Sequence, residues 1–182
     1  MTSVIALPFS RPLTRADLED VPDDGRRYEL LDGVLLVGPG PRWPHQDVLG
    51  NLYVLLKLAC PAGLAVGLAP FAVAFADDTE LQPDIFVARR SDITEHDLPV
   101  APLLCVEVLS PSTRRFDLLL KRDRYQEAGV AAYWLVDPNG PVITVLELRD
   151  GVYEEVVVVR PGEEQSVSLP FVVRLAPAEL VG

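Results

Sequence analysis

Lysine is nearly absent from this chain. Of 16 basic residues among 182, two are lysine, Lys57 and Lys121. Acidic residues number 27 and set the formal net charge at −11. That balance disfavours a general nucleic-acid coat protein or an anionic-membrane binder, because both need basic surfaces. Cysteine is scarce too. Cys60 and Cys105 form no CxxC pair, which excludes a disulfide framework and a zinc ribbon. Two histidines, His45 and His96, are too few for a multi-histidine metal site. No P-loop, GxSxG elbow or HExxH motif occurs. Carboxylate is therefore what remains for metal or acid–base chemistry.

Apolar residues, in contrast, make up 49% of the chain, enough for a sizeable core. The length suits one domain spanning 1–182. Residues 52–76 form the longest apolar stretch, but Lys57, Pro61, Gly63, Gly67 and Pro70 interrupt it. It reads as a helix followed by two buried strands rather than a membrane span. The opening residues lack a charged n-region and are broken by Pro8, so a signal peptide is not expected. The expectation is a soluble cytoplasmic protein with no membrane partner and reduced thiols.

Turn chemistry divides the rest. A first helix starts near Thr14, where Thr14 and Asp17 resemble a capping box, and stops by Pro22. Asp32-Gly33 between β-rich runs predicts a tight hairpin, as does Asp150-Gly151 between 142–149 and 152–159. Residues 45–60 read as a mostly buried helix that includes Lys57. Short strands follow at 64–67, 71–76 and 84–89. Residues 103–109 (LLCVEVL) are apolar at nearly every position and predict a central strand. A helix over roughly 114–128 ends at Gly129, and a strand occupies 131–136. The order predicts an α/β (α+β) domain with helices flanking one central mixed sheet.

Glu107 lies inside that central strand, where an unpartnered carboxylate is costly. It is either a strand-end residue whose tip reaches water or an arginine, or a ligand whose charge a cation offsets. Asp84 opens the apolar strand after Gln82-Pro83. If the two strands are neighbours, both carboxylates point at one spot and make an oxygen site suited to Mg2+ or Mn2+. A lysine would be expected two residues after Glu107, but Leu109 stands there. Lys121, two turns into the following helix, leans back toward the strand end. Its alternative role is an i,i+4 surface pair with Asp117. Tyr125 continues the row.

Residues 27–33 (RYELLDG), Pro44-His45-Gln46, 82–85 (QPDI), 106–113 (VEVLSPST), the Asp117/Lys121/Tyr125 row and 132–138 (AYWLVDP) occur in one order. Together they resemble the Uma-two family of restriction-endonuclease-like proteins, within the PD-(D/E)XK nuclease superfamily, over roughly residues 13–150. The resemblance implies a restriction-endonuclease-like fold and Mg2+-dependent hydrolysis of DNA. It assigns metal binding to Asp84, Glu107 and the backbone carbonyl of Val108. Glu29 matches an additional acidic position, bound to the metal directly or through water. Lys121 takes the place of the motif lysine. His45 and Gln46 match a position near the site, and Ser110 and Ser112 either fix the turn or contact phosphate.

Residues 114–124 (RRFDLLLKRDR) carry a net +3 and leave −14 elsewhere. A basic helix beside the carboxylates suits a phosphodiester, while the acidic remainder predicts weak, salt-sensitive DNA affinity. No aromatic-rich basic run marks a platform for single strands. The valine-rich hairpin at 142–159 offers an edge for a homodimer. Two other functions compete: a catalytically silent nuclease-fold binding protein, and a two-carboxylate glycoside hydrolase, which would hold no metal between Asp84 and Glu107.

Overall fold

The structure, a computed structural model, describes residues 10–111 and 114–181. A 3-10 turn at Arg15–Asp20 opens it, with Asp17 Oδ2 accepting the Thr14 N–H at 2.7 Å. The expected first helix is thus a single short 3-10 segment. Strands β1 (Arg27–Leu31) and β2 (Val34–Gly38) follow, then helix α1 (Trp43–Ala59). Next come β3 (Leu64–Leu68), β4 (Ala72–Ala76), β5 (Thr79–Leu81), β6 (Ile85–Arg89), β7 (Asp97–Leu98) and β8 (Leu104–Val108). A π-helical segment, Phe116–Lys121, runs into α2 (Arg122–Glu127). The chain ends with β9 (Ala132–Asp137), β10 (Val142–Arg149), β11 (Val152–Val159), β12 (Gln165–Val167), β13 (Val173–Leu175) and a last 3-10 turn.

Both expected hairpins form. Asp32 and Gly33 sit at φ 50° and 74°, and Asp150 and Gly151 at 48° and 81°. Positive φ at both central residues is what a type I′ turn requires. The central mixed sheet has the order β11-β10-β9-β8-β6-β3, antiparallel except for β8 with β9. That one parallel pair needs a crossover, and the π/α2 segment supplies it. The structure adds a second sheet, β2-β1-β5-β4-β7, and a small β12-β13 ribbon. β5, β7, β12 and β13 are two or three residues long, too short for a periodic pattern.

Period-2 alternation on β8 divides the core. Leu104, Val106 and Val108 face Val48, Leu52 and Leu56 of α1. Cys105 and Leu109 face Tyr125, Tyr133 and residues of the second sheet. Glu107 shares the parity of Cys105 and so points between the sheets. α1 is less buried than its sequence suggests. Val48, Leu49, Leu52 and Leu56 form one buried stripe, while Lys57 and Leu58 lie on the exposed side. No described helix is long and apolar enough to cross a membrane.

β3 and β6 approach closely at one point. Gly67 pairs with Phe86, and a Cβ on Gly67 would collide with the Phe86 ring. That ring is buried and stacks on Phe71 at 5.5 Å, so it has little room to move. Gly67→Ala should therefore destabilise the fold by about 1–3 kcal/mol, read from urea unfolding midpoints. A variant as stable as wild type would mean that the ring moves aside freely.

Candidate active site

Asp84 and Glu107 stand opposite one another. The β6–β8 register pairs Ile85 with Val106 and Phe86 with Cys105, which puts Asp84 across from Glu107 one step further on. Antiparallel neighbours at one register position share a face. Both side chains are buried, at 2% and 1% exposure. They border a cavity of about 500 Å3 between the sheets, walled by β2, the loop before α1, and the start of the π segment.

Asp84 is held from three elements. Its Oδ2 accepts the Val108 N–H at 2.8 Å and lies 3.0 Å from His45 Nε2 in the first turn of α1. Its Oδ1 lies 2.8 Å from Arg27 Nη1 on β1, without hydrogen-bond geometry. Burial pushes the Asp84 carboxyl up, but the His45 contact and the charges of Arg27 and Lys121 outweigh it and hold it down, at about 2. The Val108 carbonyl points to the same side as Asp84. The Leu109 N–H bonds Val136 of β9 at 2.7 Å, and across a trans peptide the preceding carbonyl points the opposite way.

Glu107 sits in different surroundings. Its Oε1 accepts from Lys121 Nζ at 3.0 Å and from the Tyr125 hydroxyl at 2.8 Å. Burial drives its pKa well up; Lys121 opposes this, and Asp117, Asp84 and Glu29 add to it. Two facing carboxyls thus part, one held ionised and one driven toward the neutral form. Glu29, on β1, accepts the Gln82 N–H at 2.7 Å and pairs with Lys121 at 2.9 Å.

Lys121 lies at the centre of this cluster, at 3% exposure. It is 3.7 Å from Asp117, itself buried, so the surface-pair reading of these two residues is overturned. Burial alone would lower the Lys121 pKa, but Glu107, Glu29 and Asp117 outweigh it and push it up. The ammonium therefore stays charged at neutral pH and cannot serve there as a general base. The Tyr133 hydroxyl holds the Asp117 carbonyl at 2.8 Å, where the helix widens into its π segment. Such widened turns recur at functional sites.

The structure thus gathers Glu29, His45, Asp84, Glu107, Asp117, Lys121 and Ser110 around one cavity. Tyr125 reaches it through Glu107. Gln46 does not join them; it is exposed and faces away from His45 on α1. Ser112 lies outside the described residues. Arg27 was missed by sequence reasoning. The available signal was its position two residues before Glu29 on one strand, which puts both on one face. The basic helix is also less basic than its sequence suggests. Arg114 pairs with Asp137 at 2.6 Å, Arg124 with Asp32 and Glu127, and Lys121 is internal.

The sequence model of the Uma2 family, described as "Putative restriction endonuclease", matches residues 15–178. The chain belongs to this family. The match runs through the C-terminal strands, beyond the span over which the motifs alone resemble it. Among solved structures, a putative nuclease from Anabaena variabilis is similar at 20% identity and a TM-score of 0.74. That likeness covers 93% of this chain and 97% of the other, and it shows a shared fold. No curated protein matches the chain.

The sign of the Asp84 shift gives a test. Its folded pKa lies below the ordinary aspartate value near 3.9, so its stabilisation is full above that pH and is lost as pH falls toward 2. Wild type should lose on the order of 2 kcal/mol more than Asp84→Asn between pH 4 and pH 2. Urea unfolding across that window reads it. Parallel pH curves for the two proteins would show that Arg27 and His45 do not hold the carboxylate.

Proposed function

We propose that the protein is a divalent-metal-dependent DNA endonuclease, with Asp84, Glu107 and the Val108 carbonyl as the protein ligands of Mg2+ or Mn2+. The observation that carries this reading is the pairing of Asp84 with Glu107 across β6 and β8 in a family of nuclease description. Charge supports it. Glu29, Asp84, Glu107 and Asp117 bring four potential negative charges, and Arg27 and Lys121 bring two fixed positive ones. A divalent cation balances the remainder and relieves the burial of Glu107. Among the described residues no three His, Cys, Asp or Glu side chains form a ready metal cluster. Two carboxylates and a carbonyl need no third side chain, and water completes such an oxygen shell.

When bound, the cation polarises a phosphoryl oxygen and lowers the pKa of a coordinated water. The chain's own residues supply the rest. Lys121, steered by Glu29 and Asp117, brings a permanent positive charge to the phosphate as negative charge develops on it. Arg27 holds Asp84 in place from the other side of the cavity. Tyr125 fixes the Glu107 rotamer through its hydroxyl. His45 pins Asp84 to the start of α1.

The protein acts in the cytoplasm and binds DNA weakly, because so much of its basic charge is internally paired. Cutting both strands takes two sites, and the free edge of β11 is where a second copy would pair to form a homodimer. The family match disfavours the glycoside hydrolase. The silent binding protein draws support from one observation: every carboxylate with a defined role here already has a protein partner. Mn2+-dependent nicking of supercoiled plasmid at low salt separates the two. Nicking by wild type that is lost in Asp84→Asn supports the nuclease; intact plasmid across metals and salt concentrations favours the binding protein.

A further inference from the structure

Arg27 reaches the cavity through the alternation of β1. It shares the parity of Glu29, so both side chains lie on one face of the strand. Its side chain lines the cavity and is 24% exposed. The two oxygens of Asp84 differ in what surrounds them. Oδ2 accepts the Val108 N–H and meets His45 Nε2, which fills both of its lone pairs. Oδ1 is buried and has no hydrogen bond among the described residues. Arg27 Nη1 stands 2.8 Å from it without the angle for one, so the attraction is Coulombic rather than directional. Oδ1 is therefore the Asp84 oxygen left for a cation, and Arg27 stands in front of it. Lys121 is engaged elsewhere, shared among Glu29, Glu107 and Asp117. The charges of Asp84, Glu107 and Glu29 all bear on the Arg27 guanidinium. These are the carboxylates that would surround a divalent cation. A guanidinium does not lose its proton in a protein, so it yields such a place only by moving.

We propose that Arg27 is the resident counter-ion of the metal position: a divalent cation at Asp84 Oδ1 displaces it, and the released guanidinium takes a phosphate of the DNA. This role rests on the nuclease reading for the metal and adds a coupling between metal and phosphodiester. The contact that holds Asp84 without metal is the one a cation takes over. Little else retains the guanidinium. Its hydrogen bond to the Gln82 carbonyl is long, at 3.3 Å, and part of the side chain already meets solvent. Arg27 and a divalent cation repel strongly within a few ångströms, so the two do not share one oxygen at rest. A phosphate offers the displaced guanidinium two parallel acceptors, a better match than the skewed contact it leaves. The coupling is reciprocal: whatever affinity DNA gains from released Arg27, the metal gains from bound DNA.

Wild type gives the first measurement, free of any folding defect in a variant. Phenylglyoxal attacks accessible guanidinium groups, and peptide mapping by mass spectrometry reads Arg27 by itself. Saturating Mn2+ should raise its modification rate about threefold or more. Calorimetry should show Mn2+ binding Arg27→Gln about tenfold more tightly than wild type, because the competing charge is gone. Arg42 lines the same cavity but pairs with no carboxylate among the described residues, so Arg42→Gln should change Mn2+ affinity by less than about threefold. A labelled duplex with phosphonate linkages, in which carbon replaces the bridging oxygen and blocks cleavage, reads the second half. By anisotropy, Arg27→Gln should bind it as wild type does in EDTA and about tenfold more weakly than wild type in Mn2+. Mn2+ affinity in Arg27→Gln no higher than in wild type, unchanged modification of Arg27, or equal duplex affinity of the two proteins in Mn2+ would each overturn the inference. No Mn2+ binding by either protein would sink the nuclease reading with it. Mn2+-dependent nicking with Arg27 reactivity unchanged would sink this inference alone.

Discussion

Lys121→Ala is expected to slow the chemical step of Mn2+-dependent DNA cleavage by roughly 10²-fold or more while metal binding survives. The magnitude follows from where the ammonium sits. It lies 2.9 Å from Glu29 and 3.0 Å from Glu107, at the floor of the cavity that would receive the phosphate. Its raised pKa keeps it charged, so its contribution is electrostatic and does not rest on proton transfer. Lys121→Arg keeps the charge, but a planar fork does not fit a pocket built around a point charge, and activity should not return. The fold should suffer as well. Removing Lys121 leaves Glu29, Glu107 and Asp117 without their shared cation, at a cost of about 3–5 kcal/mol at neutral pH. That deficit should shrink as pH falls and the abandoned carboxylates take up protons. Assays therefore belong well below the melting temperature of the variant, with Lys121→Met as a second replacement that fills the same space. Lys57, exposed on α1, is the control, and its replacement should change stability by less than about 0.5 kcal/mol. A Lys121→Ala protein as stable and as active as wild type would remove this residue from both fold and mechanism.

The second large effect is thermal. Mn2+ at about 100 times its dissociation constant should add about 2.7 kcal/mol of stability by binding the folded state alone. For a chain of this length that corresponds to a rise in Tm of about 5–10 °C. Glu107→Gln should abolish the increment, because an amide cannot supply the anionic ligand. The same variant behaves oppositely without metal. Glu107 has a folded pKa raised well above its ordinary value, so its contribution is favourable below about pH 4.3 and is lost as pH rises through the raised value. Glutamine keeps an oxygen for Lys121 and Tyr125 and carries no buried charge. Metal-free Glu107→Gln should therefore lose less stability than wild type between pH 5 and pH 8. A Mn2+-induced rise of equal size in both proteins would place the metal elsewhere.

A trade of stability against function accounts for this pattern. The site concentrates like charges in a buried space, which a fold selected for stability alone would not do. Arg27, His45, Tyr125 and the Gln82 N–H each hold one carboxylate oxygen in position. On the proposed reading, these contacts would pre-set the oxygens that a cation meets.

Much of the architecture was legible in the sequence, because it depends on neighbours along the chain. The Asp32-Gly33 and Asp150-Gly151 turns need positive φ at two adjacent residues, and that requirement is local. The doubly buried strand at 104–108 shows as an unbroken apolar run, and the Glu107 within it shows as an exception to that run. The Asp117, Lys121 and Tyr125 row follows from helical spacing. The ordered motifs pointed to the family that the match over residues 15–178 then established.

Tertiary structure decided the rest. Period 2 gives the face of Glu107 but not its neighbours; the β6–β8 register brings Asp84 opposite it from 23 residues away. Burial of Lys121 comes from packing of the second sheet over the central one, so no i,i+4 rule could separate a surface pair from an internal one. In sequence α1 reads as mostly buried because its exposed side also carries apolar residues, Val54 and Leu58 among them. Arg27 closes the Asp84 shell only because β1 and β6 belong to different sheets that face each other across the cavity. A single sequence records which charges exist. Pairing across the chain decides which of them burial turns into a site.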